Sequence, residues 1–120
     1  MKITSVKGFA DVLPGEVEIW QSIEATARRV LSSYNFAEIR IPLLEKTELF
    51  SRSIGETTDI VEKEMYTFED RDSRPGEAAA GTKLTLRPEG TAGVVRAYVE
   101  AEMHKVEPVR KLYYMGPMFR

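Results

Sequence analysis

The sequence predicts an α+β fold, on three observations. A long helical pattern is followed at once by period-two alternation; the later strand-like runs do not alternate one-for-one with helices; and the connections between them are long. No glycine-rich phosphate loop opens either principal helix, so neither the Rossmann fingerprint nor the P-loop is present. The expected architecture is two helices among about four strands, in an antiparallel or mixed sheet with the helices against one face.

The first helix is expected from about residue 16 to residue 34. Pro14-Gly15 breaks the chain before it, and Ile19, Trp20, Ile23, Ala27, Val30, Leu31 and Tyr34 recur at spacings of three and four. Asn35 suits a stop in the left-handed conformation. Ala37, Ile39, Ile41 and Leu43 then alternate with Glu38, Arg40 and Pro42, which describes a strand with one buried face. Pro42 cannot donate to a ladder, so the strand must place it at an edge, a bulge or a subunit boundary. Residues 45–53 read as a shorter helix with Leu49 and Phe50 inward, ended near Gly55. Two strands are expected at 64–69 and 83–87, joined by a charged, then Gly/Ala-rich loop too long for a tight hairpin. After Pro88 the pattern is helical again, with Val95, Val99, Met103 and Val106 on one face and Pro108 as the stop. The final run, Lys111-Leu112-Tyr113-Tyr114-Met115-Gly116-Pro117-Met118-Phe119-Arg120, reads as a strand that expects a hairpin partner. A terminus of that character points to the N-terminal piece of a larger protein.

Composition narrows the class. The 120 residues can bury a real core, about 65% of the unfolded surface. With 17 basic against 19 acidic side chains and a net charge of −2, charge balance gives no polybasic arm. Without cysteine, and with one histidine, disulfides, thiolate metal sites and a zinc cage are excluded. The N-terminus lacks a signal-peptide pattern and no apolar run is long enough to span a bilayer, so the expected location is the cytoplasm, without membrane association.

Arg87-Pro88-Glu89-Gly90-Thr91 falls where a strand gives way to a helix, which presents side chains at a sheet rim. The Glu89 carboxylate and Thr91 hydroxyl suit an ammonium group, which carries three donors and no acceptor, and Gly90 permits close approach to the backbone. The competing reading is that Glu89 or Thr91 caps the helix and Gly90 only allows the turn. Arg120 could bind a carboxylate or phosphate bidentately, or be a solvated strand residue. His104 reads as dipole-complementing surface, and Glu62-Lys63-Glu64 as a solvated or interface cluster. No Ser/His/Asp, paired-carboxylate or metal-ligand constellation can be assembled.

These residues resemble the histidyl-tRNA synthetases, class II aminoacyl-tRNA synthetases, almost end to end. The likeness lies in Lys7-Gly8-Phe9-Ala10-Asp11-Val12-Leu13-Pro14-Gly15-Glu16, in Phe36-Ala37-Glu38-Ile39-Arg40-Ile41-Pro42 of the first class motif, and in Ile54-Gly55-Glu56-Thr57-Thr58-Asp59-Ile60-Val61-Glu62-Lys63-Glu64-Met65-Tyr66-Thr67-Phe68. It continues in Leu84-Thr85-Leu86-Arg87-Pro88-Glu89-Gly90-Thr91-Ala92-Gly93 and ends at Gly116-Pro117-Met118-Phe119-Arg120, the start of the second motif. Only residues 73–83 depart, as a loop extension.

The resemblance implies part of the class II antiparallel sheet with flanking helices, and residues 1–120 as the N-terminal part of one catalytic domain. The rest of that domain and the anticodon-binding domain would lie outside these residues. Glu89, Gly90 and Thr91 would hold the histidine substrate, chiefly its α-amino group, which favours the ammonium reading. Arg120 would be the catalytic arginine contacting the histidine carboxylate and the ATP α-phosphate. Pro42 would sit at a homodimer interface. The implied partners are L-histidine, ATP with Mg²⁺ as its counter-ion, and tRNA(His), with no tightly bound cofactor and no metal held by the chain. These 120 residues alone are expected to be inactive. The alternatives are the synthetase-like regulatory subunit of ATP phosphoribosyltransferase and a purely structural or dimerisation unit.

Overall fold

A computed structural model describes residues 1–54, 64–70 and 81–120, with Ser53 and Ile54 described by backbone only. The chain divides into two compact units, Met1–Ala37 and Glu38–Arg120.

The first unit is built on α1, Val17–Ser33. Gly15 turns the chain into it at φ +105°, and the Gly15 N–H donates to the Glu18 carboxylate at 2.7 Å, so an acidic side chain satisfies a donor beside the positive end of the helix. Asn35 takes the left-handed conformation at φ 67°. The Phe36 N–H reaches the Leu31 carbonyl and the Asn35 N–H the Ser32 carbonyl, both at 3.0 Å, a Schellman closure that satisfies two of the helix's last carbonyls. The helix and its stop follow the sequence pattern within a residue. Its apolar positions Ile19, Trp20, Ile23 and Val30 are solvent-exposed.

The alternating run after α1 is not one strand. β1 is only Ala37–Glu38, and β2 begins at Leu44–Lys46. Pro42 lies exposed between them, outside both strands, where its missing N–H costs no ladder hydrogen bond. The second helix, α2, is Thr47–Ile54, not 45–53, because Glu45 is claimed by β2. Phe50 is fully buried and Leu49 half-buried, as expected; Gly55 falls outside the described residues.

β3 (Tyr66–Glu69) and β4 (Lys83–Leu86) fall within the expected 64–69 and 83–87, β3 beginning two residues later and β4 ending one earlier, and the sheet order is β2-β4-β3, antiparallel throughout. The residues 71–80 between β3 and β4 are outside the described set. Leu86 faces Leu44 on one side and Tyr66 on the other across the ladders, while Glu45, Thr85 and Thr67 share the opposite face. On that face Thr85 is fully buried, and its hydroxyl meets those of Thr47 at 2.7 Å and Thr67 at 2.9 Å. Three hydroxyls thus tie the start of α2 to two strands.

α3, Thr91–Glu100, is shorter than its apolar periodicity. Glu102 enters the left-handed region at φ 52°, and Met103–Lys105 form a separate 3-10 turn, so Met103 and Val106 leave the helix. Exposed His104 lies on that turn, its ring 6.1 Å from that of Tyr98. Arg96 on α3 donates to the buried Glu45 carboxylate at 2.7 and 3.1 Å, fastening the helix to β2. That hydrogen bond holds the Arg96 guanidinium above the ordinary arginine range. The terminal run is also not one strand: β5 is Leu112–Tyr113 alone. Its partner is β1, with the Ile39 N–H donating to the Tyr113 carbonyl at 2.9 Å. The α+β class stands: among the described residues there are three α-helices, one at each helical pattern of the sequence, and two small sheets rather than one.

Candidate functional site

The corner between β4 and α3 is set by sequence in a few residues. Pro88, fully buried, fixes the chain as it leaves the strand. Glu89 then turns its carboxylate onto the first turn of α3: one oxygen accepts the Thr91 N–H at 2.6 Å and the other the Ala92 N–H at 3.0 Å. The capping reading of Glu89 is therefore realised. It does not exclude binding, because two hydrogen bonds occupy about half of a carboxylate's acceptor sites. They also fix the orientation of the group, and the helix dipole favours negative charge there.

Gly90 is buried against the Tyr114 ring, and a Cβ added to it would lie 2.6 Å from Tyr114 Cζ. The space a side chain would need is filled by tyrosine, so close packing accounts for the glycine. The Thr91 hydroxyl is 3.2 Å from that of Tyr114. Glu89, Gly90, Thr91 and Tyr114 thus form one cluster, with Thr91 exposed, Glu89 and Tyr114 half-buried and Gly90 buried. Tyr114 escaped the sequence reading because the terminal run was taken for a strand and its aromatics for strand formers.

Arg120 is exposed and, among the described residues, pairs with no carboxylate. Its neighbour Phe119 donates its N–H to the Arg87 carbonyl at 2.9 Å, which brings the end of the chain to the strand that also leads to Glu89. Arg87, 4% exposed, was the second residue missed. Nothing in a single Arg before Pro signals burial; only the fold reveals it. Pro42 lies elsewhere, on a groove of about 740 Å³ between α2 and α3 that is also lined by Leu49, Val95, Arg96 and Val99. Glu89, Thr91 and Arg120 do not line that groove.

The corner thus offers oriented carboxylate oxygens and a hydroxyl, and the Phe119–Arg87 hydrogen bond ties the residue before Arg120 to the same strand end. Residues 8–120 match the family model described as histidyl-tRNA synthetase. The chain belongs to the histidyl-tRNA synthetase family. Its curated relatives include the histidine–tRNA ligase of Geobacter sulfurreducens, 67% identical over 118 residues, covering 98% of this chain and 27% of that protein. Another, from Halorhodospira halophila, is 58% identical over 98% of this chain and 26% of the relative. Among solved structures, apo histidyl-tRNA synthetase of Staphylococcus aureus superposes with a TM-score of 0.77 at 40% identity, over 99% of this chain and 26% of that one. A Bacillus halodurans structure titled as an ATP phosphoribosyltransferase regulatory subunit/histidyl-tRNA synthetase gives 0.75 at 21% identity, covering 100% of this chain and 28% of that one, a likeness of fold alone. The chain thus spans about a quarter of the length of the histidyl-tRNA synthetases it matches.

Proposed function

We propose that this chain is the N-terminal part of the catalytic domain of a homodimeric, cytoplasmic histidine–tRNA ligase, and that it supplies the amino-acid end of the active site. The observation that carries the reading is the corner of Glu89, Thr91 and Tyr114, with Arg120 attached through Arg87 to the same strand end.

In this reading the α-ammonium of L-histidine donates to the remaining acceptor sites of Glu89 and to the Thr91 hydroxyl. The Arg120 guanidinium takes the substrate carboxylate and the α-phosphate of ATP in its planar fork. ATP enters as its magnesium complex, and no residue of this chain is assigned to the ion. A carboxylate oxygen attacks the α-phosphorus, the bond to the β-phosphate oxygen breaks, and pyrophosphate leaves. Arg120 holds two anions together and offsets the charge that gathers on the α-phosphoryl oxygens. The histidyl-adenylate then passes its acyl group to a hydroxyl of the terminal adenosine of tRNA(His), releasing AMP. Pro42 belongs to the dimer interface.

The test is amino-acid-dependent pyrophosphate exchange by the protein made from the complete reading frame. Exchange with histidine alone is expected. Arg120→Ala should lower kcat/KM by about 100- to 1,000-fold, and Glu89→Gln should raise the KM for histidine more than that for ATP. Absence of exchange with any amino acid would move the assignment to the regulatory paralogue.

A further inference from the structure

Arg87 has no task in the reaction as proposed, yet it is among the most buried polar residues of the chain. A buried guanidinium costs free energy unless its donors are satisfied, and a carboxylate is its usual partner. Among the described residues none pairs with it. Its acceptors are backbone carbonyls instead: Nε donates to Pro117 O at 3.0 Å and Nη1 to Ile41 O at 3.3 Å. Its own backbone adds two bonds, N–H to Leu43 O and C=O from the Phe119 N–H, both at 2.9 Å. One residue therefore ties the chain on both sides of Pro42 to the chain on both sides of Met118.

The tie matters because Arg87 meets the backbone at Pro117 and at Phe119, two of the three residues that lead into Arg120. Gly116 belongs to the same device, since a Cβ there would lie 2.6 Å from Arg87 Nη2. We infer that Arg87 is a positioning residue that sets the backbone of residues 116–119, and through it the placement of the Arg120 guanidinium against substrate. This rests on the role proposed for Arg120. The fork geometry is essential: Nε and Nη1 point at carbonyls from two separate segments, and a lysine ammonium offers a single point.

The experiment compares Arg87→Lys, Arg87→Met and Gly116→Ala in the complete protein, each alone and combined with Arg120→Lys. Pyrophosphate exchange gives kcat and KM, and amide hydrogen exchange reports the Phe119 N–H. Each substitution alone should lower kcat/KM by about 100-fold, since a displacement of about 1 Å has that effect on catalysis. With Arg120→Lys already present, the further loss should stay within about threefold, because the two residues act as one unit. Phe119 should exchange at least about tenfold faster while amides of β3 are unchanged. Gly116→Ala keeps the arginine but also strains a backbone at φ +157°, so Arg87→Lys, which keeps the charge and most of the length, serves if Arg87→Met does not fold. Losses that multiply with that of Arg120→Lys, or unchanged protection of Phe119 in every variant, would overturn the proposal. A wild type without exchange for any amino acid sinks the ligase reading instead. The Phe119 amide then decides about Arg87: faster exchange supports its hold on the segment, and unchanged exchange overturns it.

Discussion

Glu89 caps α3 in the structure, where the sequence sets a capping reading against a binding one. Its carboxylate is bound by two backbone N–H groups of α3, as a cap would be, and this binding holds the oxygens where an ammonium could meet them. Residue type and spacing were enough to nominate Glu89 and Thr91. They were not enough to explain Gly90, whose reason is the Tyr114 ring 24 positions later. Gly90→Ala should therefore destabilise the protein by about 1–3 kcal/mol through overpacking, and adding Tyr114→Ala should recover most of that loss. Thermal or urea denaturation of the single and double variants measures it; equal destabilisation with and without the ring would mean that the ring is not the obstacle. Tyr114 and Arg87 were illegible for a shared reason. An aromatic or an arginine carries no mark of its tertiary partner, and both partners lie far off in sequence.

Among the elements, α1 was the most legible, because its apolar period, the Gly15 turn and Asn35 all act within a few residues. The short strands were the least legible. Residues 37–43 alternate correctly, but the strand stops at Glu38, because its partner β5 is only two residues long. Glu45 reads as a helix former, yet its backbone pairs with Thr85 in the β2–β4 ladder, and Arg96, 51 residues away, takes its carboxylate. The threonine triad is a feature of the same kind. Thr47, Thr67 and Thr85 belong to three elements, and the sheet register brings them together. Thr85→Val keeps the shape and leaves two hydroxyls without their shared partner, so a loss of about 1–2 kcal/mol is expected in equilibrium unfolding. A change below about 0.3 kcal/mol would show that the hydroxyls find other partners at no net cost.

For the molecule as a whole, the fully or nearly buried apolar side chains among the described residues are few: Ile41, Phe50, Pro88 and Ala92. Apolar side chains on α1 and on the Leu44, Tyr66 and Phe68 face of the sheet are open to solvent. Pro42 is exposed as well, in keeping with the interface proposed for it. Sedimentation of the complete protein should give a dimer, and Pro42→Glu should raise the dimer dissociation constant by at least about tenfold, as expected for a charge placed in an interface core. An unchanged constant would remove Pro42 from the interface. The sequence by itself determined the α+β class, the helix α1 with its stop, the approximate strands β3 and β4, and the Glu89-Gly90-Thr91 corner, because propensity, periodicity and turn chemistry act over a few residues. Only the tertiary structure decided where the strands break, how the sheets divide, that Tyr114 fills the space beside Gly90, and that Arg87 holds the segment leading to Arg120. Those features depend on contacts between distant parts of the chain, and local patterns do not encode which distant backbone a side chain will reach.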